Sequence, residues 1–423
     1  WWYASFVFPA VAGTLGPMAA AFSICALIRP WIRVQSQDDS EDVVSDRIRL
    51  RAVNAVQVGI AVLSNIILLR NMTQRAKYSI AQPLTIAGWY VSSLCLVAIA
   101  VTASRLAATV KFEYQWSQSY YYCIYAAAIY FTIATLMLLN FLGARRGHYK
   151  HDTALSTTLR LLLLHCITFL TIVLLGALVF SRIEGWTYLD SVYWADVTLL
   201  TIGFGDISPE TTLGRALLFP YAITGIICLG LTISSIRTLV LDKGNSALNK
   251  RRLGKMRDAF FKDIDNEGQH NSMLPVDDPR QLHVMVTRLR DIRSRAMRRR
   301  RWTDFTFSLC VWLTFMFGGG AIFMVCEEPL QNWSYFDGLY MAFVSLTTIG
   351  YGNLAPTTSS GRSFFVLWSL LAVPTVTILV ANAEDTLIEA LRIITISFGN
   401  ISILPGEGGF TGGMKGLLTM LGL

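Results

Sequence analysis

Two stretches combine residue types and spacing that could do chemistry: Thr201-Ile202-Gly203-Phe204-Gly205 and Thr348-Ile349-Gly350-Tyr351-Gly352. Glycine at two alternate positions admits backbone conformations that a side chain forbids. A chain alternating in this way can aim successive carbonyls at one axis. Stacked carbonyl rings, with threonine hydroxyls at the inner end, replace the hydration shell of a bare potassium ion. The expected ligands are the carbonyls of Thr201, Ile202, Gly203 and Phe204, those of Thr348, Ile349, Gly350 and Tyr351, and the two threonine hydroxyls. Asp206 and Asn353 follow Gly205 and Gly352 and complete the loops. One such pentapeptide is a weak signal; two with matching flanks are specific.

The copies align without a gap. A shift of 147 residues lays 186–215 on 333–362 with fifteen of thirty positions identical, including Trp186, Asp190, Tyr193, Pro209 and Arg215. Chance would give about two at ordinary residue frequencies. This is an internal duplication of a pore-forming unit. A fourfold ring of loops therefore predicts a homodimer, each chain giving two.

Seven residues before the filter threonines sit Trp194 and Met341. In a ring of alternating repeats, Tyr351 is expected to offer its hydroxyl to the Trp194 indole while Phe204 packs on Met341, because a buried hydroxyl needs a partner.

The elements that must position these loops are membrane helices. Of 423 residues, 53% are hydrophobic and 15% charged, and mean hydropathy is +0.47. Soluble chains carry about a quarter charged residues. Eight apolar runs are long enough to cross a bilayer: 1–28, 52–69, 84–104, 120–142, 159–180, 216–241, 305–326 and 363–383. Helix is the form that satisfies backbone groups in lipid. Pro9, Gly13, Gly16 and Pro17 predict a kink or break in the first run. The filter segments lie between runs five and six and between seven and eight, each too short to cross and return except as a half-helix plus an extended strand. The reading is an all-α membrane protein, four helices followed by two helix–pore loop–helix units, with a pseudo-fourfold pore in the dimer. Its parts are a four-helix region over 1–142, a first pore unit over 143–241, a basic cytosolic linker over 242–302, a second pore unit over 303–390 and a cytosolic segment over 391–423.

The net charge of +8 is local: residues 242–301 hold 16 Lys+Arg against 8 Asp+Glu, while the rest is balanced. This argues against a nucleic-acid surface and for a cytosolic side. Filters facing outward place 143–158 and 242–302 inside, in agreement with Arg145, Arg146 and Lys150. The same alternation puts 29–51 outside despite five arginines there, so pore geometry and loop charge conflict at this point. The chain begins at Trp1 and is expected to be a portion of a longer protein, so no leader can be judged.

The span order and the two filters resemble the fungal outward-rectifying two-pore-domain potassium channels. The filters are specific for potassium channels in general, and the four-plus-two-plus-two order points to the fungal group. Animal tandem-pore leak channels are similar in their two pore units but have four spans. The resemblance implies a plasma-membrane channel that passes potassium outward when voltage lies positive of the potassium equilibrium potential. A non-rectifying leak channel is the alternative on the same scaffold. A potassium transporter is less well matched, since both loops here keep both glycines.

Gate candidates lie on runs six and eight. Gly225, Gly230 and Pro374 allow bending. The 147 shift sets Arg237 opposite Glu384 and Asp242 opposite Glu389, so these charges can pair near the cytosolic mouth. A voltage sensor needs arginines at every third position within one span, and 120–142 has none. Asp263, Asp265 and Glu267 begin like a calcium loop, but position twelve is Leu274 where a bidentate Glu is required, so no calcium site is expected. The arginines at 288–301 orient the seventh span and can meet anionic lipid headgroups. Asn332-Trp333-Ser334 is a glycosylation sequon beside the pore helix. The seven cysteines read as small apolar residues in helices. No nucleophile–base pair, phosphate loop or metal-spaced His/Cys set is present, which leaves an enzyme or small-molecule substrate without support.

Overall fold

The computed structural model describes residues 2–35, 41–43, 48–73, 75–108, 114–147, 157–238 and 279–402. Its helices are α1 (Trp2–Ile28), α2 (Ile48–Met72), α3 (Tyr78–Ala107), α4 (Gln118–Arg145), α5 (Thr157–Glu184), α6 (Tyr188–Leu199), α7 (Thr212–Thr238), α8 (Pro279–Gln331), α9 (Tyr335–Leu346) and α10 (Ser359–Ser402). Eight of these are long and apolar enough to cross a membrane. The exceptions are α6 and α9, with 12 residues each. At the helical rise they reach about 18 Å, short of a bilayer's ~30 Å apolar core. The chain is thus an all-α membrane protein with four helices ahead of two helix–pore loop–helix units.

Two compact units are resolved, one of Trp1–Asp242 with Phe315–Val373 and the other of Lys243–Thr314 with Pro374–Leu423. The first holds both glycine loops. Within it α1 packs along α4, α3 lies on α2 and α4, and α1 also reaches α5. Polar side chains tie this bundle from inside, where lipid offers no competing partner. Asn65 of α2 donates to the Gly16 carbonyl at 3.1 Å and accepts from the Trp89 indole of α3 at 3.2 Å.

The expected break in the first run is corrected: α1 is continuous with Pro9 and Pro17 inside it. Its glycines serve close approach instead. A side chain at Gly13 would press on Leu163, and one at Gly16 on Asn65. Neighbouring helices hold the segment in register where proline has removed backbone donors.

A small sheet was not foreseen. Strands β1 (Ile32–Gln35), β2 (Glu41–Val43) and β3 (Tyr114–Trp116) pair antiparallel in the order β2-β1-β3. It gathers the α1–α2 and α3–α4 connections on one side of the bundle, as the alternation of spans requires. Trp116 stacks on Tyr120 at 3.9 Å beside it.

Helix α8 begins well before the seventh apolar run and α10 runs on past the eighth. Asp242, the calcium-like stretch 263–274 and the tail after 402 lie outside the described residues.

Candidate functional site

Each glycine loop hangs from a short, firmly capped helix. At α6 the Thr187 hydroxyl donates to Asp190 at 2.6 Å and accepts the Asp190 N–H. At α9 Ser334 and Asp337 close a reciprocal capping box. Such caps satisfy the orphan N–H groups of a first turn. The hydrogen bonds hold the Asp337 carboxyl below its usual range. At Asp190 burial pushes upward, but Thr187, Arg362 and Gln118 outweigh it, and this carboxyl is held low too.

The helices end at Leu199 and Leu346 and pass directly into the loops, where the backbone alternates. Thr201, Gly203 and Gly205 have φ of 59°, 65° and 79°; Thr348, Gly350 and Gly352 have 54°, 62° and 73°. Intervening residues do not share this hand, so successive carbonyls can be brought to one side. The glycines take these angles without cost. The threonines do not: a β-branched residue at positive φ is strained, and finding it twice at matching positions marks it as part of the design. Backbone donors are anchored on the opposite side. Ile202 and Gly203 both donate to Val197 O at 3.0 and 3.3 Å, and Ile349 and Gly350 both donate to Val344 O at 3.0 and 3.4 Å.

The two loops lie side by side within one chain. A side chain at Gly350 would overlap the Ile202 carbonyl, and one at Gly352 the Phe204 carbonyl. Gly203 and Gly205, on the far side of the first loop, have nothing within 4 Å of such a position. The residue after each last glycine meets a tyrosine of the short helix before it. Tyr340 of α9 donates to Asn353 at 3.4 Å, and Tyr193 of α6 faces Asp206.

Phe204 is buried against Phe365, with ring centroids 5.4 Å apart. Tyr351 is 69% exposed in the single chain. Trp194 is buried among Phe180, Trp186 and Tyr221 at 4.4, 5.4 and 5.8 Å, and Met341 is buried with its sulfur 3.6 Å from the Ser345 hydroxyl.

Several residues that position the site were missed by sequence reasoning. Gln118 of α4 donates to Asp190 at 2.8 Å, joining the N-terminal bundle to the first short helix. Glu184 accepts from the Glu210 and Thr211 N–H groups and the Thr211 hydroxyl at the start of α7. Glu327 accepts from the Thr357 and Thr358 N–H groups and the Thr358 hydroxyl at the start of α10. These carboxylates serve the same end of equivalent helices, where the macrodipole favours negative charge. Asp196 is fully buried in α6 and takes a short hydrogen bond from the Ser369 hydroxyl of α10; its second oxygen has no partner among the described residues. An ionisable residue in an apolar helix was the available signal for all three.

The gate candidates fall in the two compact units, Gly225, Gly230 and Arg237 in the first and Pro374 and Glu384 in the second. Gly225 is buried and a side chain there would overlap Leu199, so its role is close packing of α7 on α6. Gly230 faces open space. Pro374 lies inside continuous α10. Arg237 and Glu384 are exposed, and the Glu389 side chain falls outside the described residues.

Residues 167–242 and 310–389 match a sequence family described as ion channel, and not an enzyme family. Over 193 residues the chain is 28% identical to two-pore potassium channel 4 of Arabidopsis thaliana, covering 46% of this chain and 56% of the relative. It is 25% identical over 173 residues to potassium channel subfamily K member 2 of Homo sapiens, covering 41% and 32%. It is 33% identical over 69 residues to TWiK family of potassium channels protein 9 of Caenorhabditis elegans, covering 16% and 12%. The chain therefore spans about half the length, or less, of these relatives.

Proposed function

We propose that the chain is a two-pore potassium channel, that two copies assemble around one pore, and that the paired glycine loops are its selectivity filter. The observation that carries this reading is the repeated left-handed backbone at residues 201, 203 and 205 and at 348, 350 and 352, in loops that lie side by side. Carbonyls of Thr201, Ile202, Gly203 and Phe204, and of Thr348, Ile349, Gly350 and Tyr351, would form stacked rings sized for a dehydrated cation. The short helices α6 and α9 end at these loops, and their negative C-terminal ends favour a cation below the filter. Potassium is cargo here and no resident cofactor is invoked.

Internal symmetry supports the dimer. One edge of the second loop is covered by the first, while the equivalent edge of the first is bare. A second copy related by a twofold axis would cover it and close the ring. Tyr351, exposed in one chain, would then reach the partner subunit's Trp194.

We further infer outward rectification in a fungal plasma membrane. The support is the resemblance of span order and filters, with the four-helix region over 1–142 as a jacket on the first pore unit. Whole-cell current against voltage at two external potassium concentrations tests both levels. A reversal potential that follows potassium is expected of the channel, and a rectification threshold that moves with it is expected of the rectifier. Current that reverses at the same voltage in both solutions would refute the filter assignment. A symmetric, threshold-free potassium current would leave the leak channel.

A further inference from the structure

A cavity of about 560 Å³ opens where the end of α2 meets the start of α5, lined by Leu69, Arg70, Thr73, Arg75 and Arg160. Among the described residues that line it, three of five are arginines and none is a carboxylate. Arg70 and Arg75 are exposed and Arg160 is partly so. Arginines that line one space repel one another where no anion joins them, and a planar fork binds phosphate oxygens in pairs. The volume falls in the range of small-ligand sites, ~300–1,000 Å³.

The depth of the cavity narrows the ligand. From Arg160 to Glu184, which holds the filter end of α5, is 24 helical residues. That is about 36 Å, so Arg160 lies at headgroup level on the face opposite the filter. With the filter facing outward this is the inner leaflet, where anionic lipids concentrate. A single phosphodiester leaves two of three charges unmatched. A headgroup with added phosphomonoesters, each carrying ≈ −1.5 to −2, matches them. Leu69 supplies the apolar wall that an acyl glycerol backbone would meet.

We propose that this cavity binds the polyphosphorylated headgroup of an inner-leaflet lipid, linking the N-terminal bundle to the outer helix of the first pore unit. The inner-leaflet assignment rests on the outward-facing filter; the anion chemistry does not. Bound headgroup would tie α2 to α5, and α5 leads through Trp186 into the capped helix that carries the first glycine loop.

The test uses the detergent-purified full chain and a fluorescent short-chain phosphatidylinositol bisphosphate, read by polarisation. We expect saturable binding that weakens at least tenfold in R70Q/R75Q. The charge-matched control R145Q/R146Q should bind within twofold of the unaltered chain. R75Q alone, at an exposed position, gives an intermediate loss and serves if the double variant does not purify as a single species. A phosphatidylcholine analogue should not compete, and inositol trisphosphate should compete far more weakly than the lipid. Equal binding by R75Q and R70Q/R75Q, or equal loss in the control, would overturn the site. Inositol trisphosphate competing as well as the lipid would overturn the lipid in favour of a free phosphate ligand. Because binding is read without current, failure of this site and failure of the channel reading remain distinguishable.

Discussion

Asp190, in the first turn of α6, and Arg362, in the first turn of α10, close an ion pair of 2.8 Å across 172 residues. The same guanidinium rests on the Tyr193 ring at 5.4 Å and donates through Nε to the Pro356 carbonyl at 3.1 Å. Shifted by 147, the pair becomes Asp337 and Arg215. Arg215 already donates through Nε to the Pro209 carbonyl at 3.1 Å, which poses its guanidinium in the same way, and it is exposed. Asp337 bonds Ser334 in its capping box. In the proposed dimer, the pair made within the chain from repeat one to repeat two would be made between chains from repeat two to repeat one.

Charge reversal at this second pair is the first prediction. Arg215→Asp should weaken the dimer, and Asp337→Arg in the same chain should restore it. A twofold axis uses the pair twice, so the single change acts at two places and should weaken association severalfold. Light scattering on detergent-solubilised protein across a dilution series measures this. If the double variant dissociates as readily as the single, the two residues do not meet.

The first pair predicts a dependence on pH. Asp190 is held below its usual carboxylate range, so the folded chain binds fewer protons there than the unfolded chain. Its stabilisation is fully present above the unfolded pKa of about 3.9 and is lost as pH falls through the lower folded value. Thermal unfolding of the unaltered chain should hold near neutrality and decline below about pH 4. Asp190→Asn should lower stability at pH 7 by about 2 kcal/mol, as loss of hydrogen bonds to a charged group does, and should flatten the acid decline. Superimposable pH curves for the two proteins would rule this out.

Asp196 and Ser369 join the first short helix to α10 behind the glycine loop. Ser369→Ala would leave both carboxyl oxygens of a fully buried side chain without partners among the described residues. The local cost is on the order of 1–3 kcal/mol, applied where α6 meets α10 and not in the glycine loops. We expect current at matched surface expression to fall severalfold while the reversal potential stays fixed. Ser369→Thr, which keeps the hydroxyl, should recover most of it. An unchanged current in Ser369→Ala, or a shifted reversal potential, would show that the bond plays no such part.

The glycine loops were readable from sequence because their chemistry is local: spacing, composition and a gapless repeat state it within thirty residues. The spans were readable because lipid leaves helix as the form for long apolar runs. What depended on distant partners was not readable. The 147 shift pairs Glu184 with Gln331, whereas the carboxylate doing its work in the second repeat is Glu327, one helical turn earlier, to which Gln331 itself donates at 2.9 Å. The repeat therefore changes register between outer and short helix, where an alignment starting at Trp186 could not reveal it. Gly225 read as a place to bend, and the Leu199 side chain against it shows close packing instead. The positive φ of Thr201 and Thr348 runs against the preference of a β-branched residue, so no local rule announces it. The β1–β3 sheet joins segments about eighty residues apart that each look like ordinary connections.

Alanine at Gly203 and at Gly350 separates one chain from two. Both glycines are left-handed, at φ 65° and 62°, so both substitutions carry a backbone cost of about 1–2 kcal/mol. In a single chain only the second meets an obstacle: its new methyl would overlap the Ile202 carbonyl, while that at Gly203 would meet nothing within 4 Å. In a closed ring the bare edge of the first loop receives the second loop of the partner, and the two methyls become equivalent intruders. We therefore expect Gly203→Ala and Gly350→Ala to abolish potassium selectivity alike, read as the potassium-to-sodium permeability ratio from reversal potentials, and to lower dimer recovery to a similar degree. If Gly203→Ala kept selectivity while Gly350→Ala lost it, the first loop would have a free edge in the working molecule. The ring of four loops would then be wrong even though each loop has the right backbone.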